Sequence, residues 1–193
     1  MLDLVNTVTA RDADPIDWLD GYARLLEWAA LTGQFDRSVL RALQRRSAAE
    51  PHAAALALDR IRELREALRD VLVAILRRKT GAESALGRLQ ESWRDAAAQA
   101  RFGLSRGRVD LLLGVEVSGL EVLRHELALR SLELLQTLPL ERTRICLGPR
   151  CGWLFVDRSK GGQRRWCDMA TCGNDEKSRR FRRRRLAKVR GKR

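Results

Sequence analysis

A chain of 193 residues with 33% charged and 45% hydrophobic positions has the composition of a globular protein, with room for one medium domain and a small appendage. No apolar run approaches the ~18 residues of a membrane helix, and Met1-Leu2-Asp3 lacks the basic-then-apolar layout of a signal peptide, so a cytoplasmic protein is expected. The net charge of +13 is uneven: Met1 to Leu140 carries 20 basic and 20 acidic residues, whereas Glu141 to Arg193 carries 18 against 5. A positive field confined to one end points to a polyanionic partner.

Leu2-Asp3-Leu4-Val5-Asn6-Thr7-Val8 is apolar with polar interruptions and too short for its period to choose helix or strand. Asp14-Pro15-Ile16-Asp17 predicts a helix start, with Asp14 as N-cap and Pro15 in the first turn. Trp18, Leu19, Tyr22, Leu25, Leu26 and Ala29 then recur at helical spacing up to Gly33. A second helix spans about Arg37 to Ala48. Pro51 opens a longer one with an apolar face through Leu58, Ile61, Leu64, Leu68, Val71, Leu72 and Ile75, closed by Thr80-Gly81.

Leu86, Leu89, Trp93, Ala96 and Ala100 mark a fourth helix. Phe102 to Leu113 breaks the helical period and reads as a small β-hairpin. Ser118-Gly-Leu-Glu121 has the form of a capping box for a fifth helix that ends at Pro139. The expected architecture is therefore mainly α: a helical domain over 1–139 and a smaller module over 140–193. His52 and His125 have no catalytic neighbours in the sequence and read as structural or surface residues. No P-loop, dinucleotide fingerprint or nucleophile elbow is present, so no enzyme is expected.

All four cysteines lie in the second module, as Cys146/Cys151 and Cys167/Cys172, each pair enclosing four residues and the pairs separated by fifteen. Two such pairs around a short apolar segment suit one tetrahedral zinc ion with sulfurs at about 2.3 Å, while disulfides and an iron–sulfur cluster stay open on spacing alone. Between the pairs, Trp153 to Val156 reads as a strand, Lys160-Gly161-Gly162 as a turn and Arg165-Trp166-Cys167 as the returning strand. Trp153, Phe155 and Trp166 are then the packed rings, with base stacking as an alternative role for the tryptophans. Asn174 is placed as the cap of a last helix carrying Lys177, Arg179, Arg180, Arg182, Arg183, Arg184 and Arg185 on almost every side. With Arg164 and Arg165, these are the candidate nucleic-acid contacts.

The run Cys146-x4-Cys151-x-Trp153-x-Phe155-x-Asp157-x-Ser159, then Arg165-Trp166-Cys167-x-Met169-x-x-Cys172-Gly173-Asn174 and a basic helix, resembles the CGNR-type zinc finger. Leu2-Asp3-Leu4-Val5-Asn6-Thr7 is similar to the start of the helical (ABATE-type) domain that precedes this finger in proteins described as putative stress-induced transcription regulators. The resemblance implies one structural Zn2+ per chain on the four cysteines, a treble-clef-like finger, and DNA as partner. It also implies a regulatory helical domain, where Asp3, Asn6 and Thr7 are candidates for a polar effector site. RNA or ribosome binding, a protein-interaction or small-molecule-sensing role without nucleic acid, and a homodimer stay open. One departure stands out: the family motif ends in Arg, and this chain has Asp175.

Overall fold

The computed structural model describes residues 1–11, 14–105 and 107–190, with the backbone alone at 105 and 184–190. The chain begins with a single helical turn, α1 (Leu2–Val5), followed by two short strands, β1 (Val8–Thr9) and β2 (Ile16–Asp17). These strands pair antiparallel, Val8 opposite Asp17 and Thr9 opposite Ile16. That pairing overturns the helix start expected at Asp14-Pro15. The ladder holds Ile16 and Asp17 extended, and α2 (Tyr22–Thr32) begins only after Gly21, itself extended at φ −160° and offering no side-chain cap. Trp18, placed on the helical core face by its spacing, is consequently outside the helix and 58% exposed. Gly33 ends α2 as expected, at φ 64° in the left-handed region that glycine enters without steric cost.

The helices that follow match their periodicity. In α3 (Arg37–Ala49) the Asp36 carboxylate accepts from Ser38 N at 2.6 Å and Val39 N at 3.4 Å, capping two donors that the first turn leaves unpaired. The long α4 (Pro51–Arg77) buries Leu58, Ile61, Leu64, Leu68, Val71 and Leu72. It stops at Arg78, which itself adopts the left-handed conformation, φ 50°, before the Thr80-Gly81 expected to end it. Next come α5 (Glu83–Gln99) and the predicted hairpin, β3 (Arg101–Ser105) paired with β4 (Arg108–Leu112), Phe102 opposite Leu111 and Leu104 opposite Val109. A turn, α6 (Val115–Ser118), leads through one 3-10 turn into α7 (Val122–Thr137).

The Ser118–Glu121 capping box does not form. Ser118 Oγ is instead 2.9 Å from His125 Nδ1, and the other ring nitrogen lies 3.0 Å from the Arg124 guanidinium. A guanidinium only donates, so Nε2 accepts, Nδ1 carries the hydrogen, and Ser118 Oγ receives it. His125 is thus a buried, hydrogen-bonded core histidine, the structural one of the two roles the sequence left open. Burial, and then the Arg124 charge, hold its pKa below the usual 6.5.

The last segment comprises β5 (Thr143–Ile145), β6 (Leu154–Val156), a π-helical turn at Met169–Gly173 and α8 (Asn174–Arg190). By contacts the chain divides into two compact units. Trp18–Leu138 forms the helical one, and Leu2–Asp17 joins Pro139–Arg193 in the other. The opening residues, assigned by sequence to the helical domain 1–139, thus belong to the cysteine-bearing unit. Among the described residues no helix is long and apolar enough to cross a membrane.

Candidate metal centre and nucleic-acid interface

The cysteine unit is built on one β-hairpin. β5 and β6 pair antiparallel, Thr143 opposite Val156 and Ile145 opposite Leu154. Cys146 follows β5 directly, and its N–H donates to Trp153 O at 2.8 Å. The turn Leu147-Gly-Pro-Arg150 then swings Cys151 back toward it, with Cys151 N bonded to Gly148 O. A Cβ at Gly148 would stand 2.9 Å from Cys172 Sγ and 3.2 Å from Cys151 Cβ. The turn closes around the sulfurs because this residue has no side chain.

The four Sγ atoms lie within 4.8 Å of one another. Cys151 and Cys167 sulfurs are 3.7 Å apart, Cys167 and Cys172 3.8 Å. A tetrahedron with 2.3 Å metal–sulfur bonds has edges of about 3.8 Å, whereas a disulfide brings its sulfurs to about 2.05 Å. No cysteine is in a disulfide. The donor set and its spacing fit zinc, and these cysteines form the zinc-binding site.

Backbone donors prepare this cluster for charge. Gly148 N at 3.4 Å and Cys167 N at 3.3 Å both donate to Cys146 Sγ. The Cys151 thiol, then these amides, lower the Cys146 pKa to about 5. Burial pushes Cys167 up to about 12, and the bond to Cys146 together with burial raises Cys151. Cysteine ligands bind zinc as thiolates, so coordination releases protons from the cluster.

The returning strand expected at Arg165-Trp166-Cys167 does not form. That segment makes a single backbone bond to the knuckle, Leu147 N to Arg165 O at 3.0 Å. Neither edge of β6 is open to it. One edge is paired with β5, and on the other Asn6 places its side-chain amide against Leu154, Nδ2 to O at 2.8 Å and Leu154 N to Oδ1 at 2.9 Å. Packing follows the same division. Leu154 is 1% exposed, while Trp153 and Phe155, expected as the packed face, are half-buried. Thr7 is likewise turned inward, its hydroxyl donating to Leu4 O. The three residues expected to form a polar site are thus divided: Asn6 and Thr7 bond within the cysteine unit, and Asp3 sits exposed in the first turn of α1.

Asp157, which sequence reasoning treated only as a motif position, organises the loop that follows β6. Its buried carboxylate accepts from Ser159 N at 2.9 Å and Arg164 N at 2.8 Å; the Ser159 side chain, and after it these amides, lower its pKa to about 2. Arg164 closes the same loop. Its guanidinium donates to Cys167 O at 2.6 Å and lies over the Phe155 ring at 5.5 Å, so this candidate DNA contact is engaged within the fold. Arg165 is exposed, stacked over Trp166 at 5.6 Å.

The second knuckle is capped by Asp168, which accepts from Thr171 N at 2.8 Å. Asn174, expected as the cap, is already the first residue of α8 and donates to Ala170 O. Along α8, Glu176 faces Arg180 at 3.8 Å and Arg183 at 3.5 Å, so one carboxylate serves two arginines. Lys177, Arg179 and Arg182 are exposed and, among the described residues, face no carboxylate. The side chains of Arg184 and Arg185 lie outside the described residues. Phe181, 67% exposed in the middle of this basic surface, escaped sequence reasoning; a lone aromatic inside an arginine run is the signal that marks it.

Two family models match this chain. One, described as "Putative stress-induced transcription regulator" (ABATE), covers residues 1–137. The chain belongs to this family. The CGNR zinc finger model covers residues 142–185, the segment that carries the sulfur cluster and the start of the basic helix. Comparison with curated proteins finds no match. In this ABATE protein the structural division does not follow the edge between the two models, because Leu2–Asp17, inside the first, is built into the finger unit.

Proposed function

We propose that this protein is a DNA-binding transcription regulator of the cytoplasm that docks α8 on duplex DNA through phosphate contacts, its zinc serving the fold alone. The observation that carries this is the unbalanced charge of α8. Among the described residues, Lys177, Arg179 and Arg182 project without carboxylate partners from a helix whose base adjoins the cysteine cluster. A rigidly mounted cationic helix concentrates counterion release on one surface, which gives DNA affinity with a steep salt dependence. The metal itself invites no chemistry, since four thiolates fill a tetrahedral zinc and leave no position for water or substrate. We therefore assign this centre a structural rather than an enzymatic role.

Duplex titrations at several salt concentrations test the reading. A slope equivalent to fewer than ~3 phosphates, or no binding, rejects it. Competition between duplex DNA and RNA hairpins separates it from the runner-up, a structured-RNA or ribosome-associated binder, which the same basic helix also supports.

Two further parts of the reading rest on the helical unit. A groove of about 810 Å3 between α2, α3 and α4, with Leu26, Leu40 and Leu58 beside Glu27, Arg41 and Arg62, supports a small-molecule effector. The hairpin β3–β4 supports a homodimer. Phe102, Leu104, Val109 and Leu111 share one face, 82%, 83%, 69% and 48% exposed, and Arg101, Arg108 and Asp110 alternate to the other. Two copies stacked on this face bury no charge, and residues 1–140, with equal counts of acids and bases, add no net charge at the contact. Sedimentation of the wild type and of Phe102→Ser with Leu104→Ser decides it: a monomeric wild type ends the idea.

A further inference from the structure

The zinc ligands and the first residues of the chain are joined by an interaction that neither family model contains. In the antiparallel ladder of β5 and β6, Cys146 N bonds Trp153 O and Asp157 N bonds Arg142 O. The alternation of such ladders turns the backbone groups of 153, 155 and 157 toward β5 and those of Leu154 outward. Those outward groups are the ones Asn6 takes, its amide donating to Leu154 O at 2.8 Å and accepting from Leu154 N at 2.9 Å. A side-chain amide carries the same donor and acceptor as a peptide unit, so Asn6 stands in for one residue of a third strand. Around it, Leu4 and Val5 are fully buried, and Thr7, Val8 and Ala10 nearly so, within the finger unit.

We infer that residues 2–17 are a working part of the metal module and that Asn6 is a positioning residue for the zinc site. Leu154 is held on one side by Asn6 and lies opposite Ile145 on the other, one residue before Cys146. Three residues before Leu154 stands Cys151. Fixing this one backbone unit therefore fixes the approach of the first two ligands, and Cys146 in turn receives the Cys167 amide that aligns the second pair. Such outer partners of metal ligands set how tightly the metal is held. The inference concerns zinc retention and is independent of whether the partner is DNA.

Zinc transfer from the full-length protein to a chromophoric chelator tests it. Asn6→Ala leaves the Leu154 N–H and C=O buried without partners, and Asn6→Asp keeps the shape but sets an acceptor against Leu154 O. Both should release zinc faster by about 10-fold or more, while Asn6→Gln recovers part of the loss. Tyr22→Phe removes a buried hydrogen bond, to Leu120 O at 2.7 Å, in the helical unit and serves as the control. Wild-type release from Asn6→Ala and Asn6→Asp overturns the inference, as does equal acceleration in Tyr22→Phe, which would reduce the effect to general destabilisation. If Asn6→Ala does not fold, the Asp and Gln variants decide by their order alone.

Discussion

Gly148 shows how a single missing side chain makes a metal site. A Cβ there would stand 2.9 Å from the Cys172 sulfur, closer than side chains approach, and a tight 3.2 Å from the Cys151 Cβ, so Gly148→Ala must displace Cys172 and press on Cys151. We expect about tenfold faster zinc loss to a chelator, with the helical content of α2 to α7 unchanged by circular dichroism. Asp175 is the opposite case, a residue the fold does not need. It lies exposed in the first turn of α8, where the family motif has Arg. Asp175→Arg should tighten duplex binding and steepen the salt slope by about 1, leaving zinc content untouched. The four ligands and this departure were legible in the sequence because spacing and motif are local. Asn6 was not, since its partner is 148 residues away and nothing in a single sequence pairs the two.

At the scale of elements, charge on α8 divides by partner. Arg179→Ala with Arg182→Ala removes two unpaired charges and should lower the salt slope by about 2, whereas Glu176→Ala releases Arg180 and Arg183 from their shared carboxylate and should raise affinity. Both are read by fluorescence anisotropy on one duplex. In α7 the buried His125 sets a pH dependence. A histidine whose folded pKa lies below the unfolded 6.5 binds fewer protons when folded, so its share of stability is whole above 6.5 and is lost as pH falls through that value. Thermal melts between pH 7.5 and 5.5 should show this decline, and His125→Gln should flatten it. Helical periodicity identified α3, α4 and α5 within a few residues, because each keeps one apolar stripe. It misplaced the start of α2, where the β1–β2 ladder outweighs the capping preference of Asp14-Pro15. The returning strand failed for a related reason: β-propensity at Arg165 to Cys167 counts for nothing once both edges of β6 are occupied.

Across the whole molecule, the finger unit is discontinuous in sequence, with Trp18–Leu138 set between its two pieces. The order of synthesis then matters. Leu4 and Val5 are made before the helical unit, yet the β6 edge that α1 packs on is made only after that unit is complete. Until then a buried set of apolar residues has no partner, and the loop to be closed is long. If the helical unit folds first, the chain between the pieces is no longer a free coil, and the entropy of closure is largely met before zinc binds. Metal capture is therefore the step that unites the two ends of the chain, and zinc starvation should expose the N-terminal segment to proteases as readily as the finger itself.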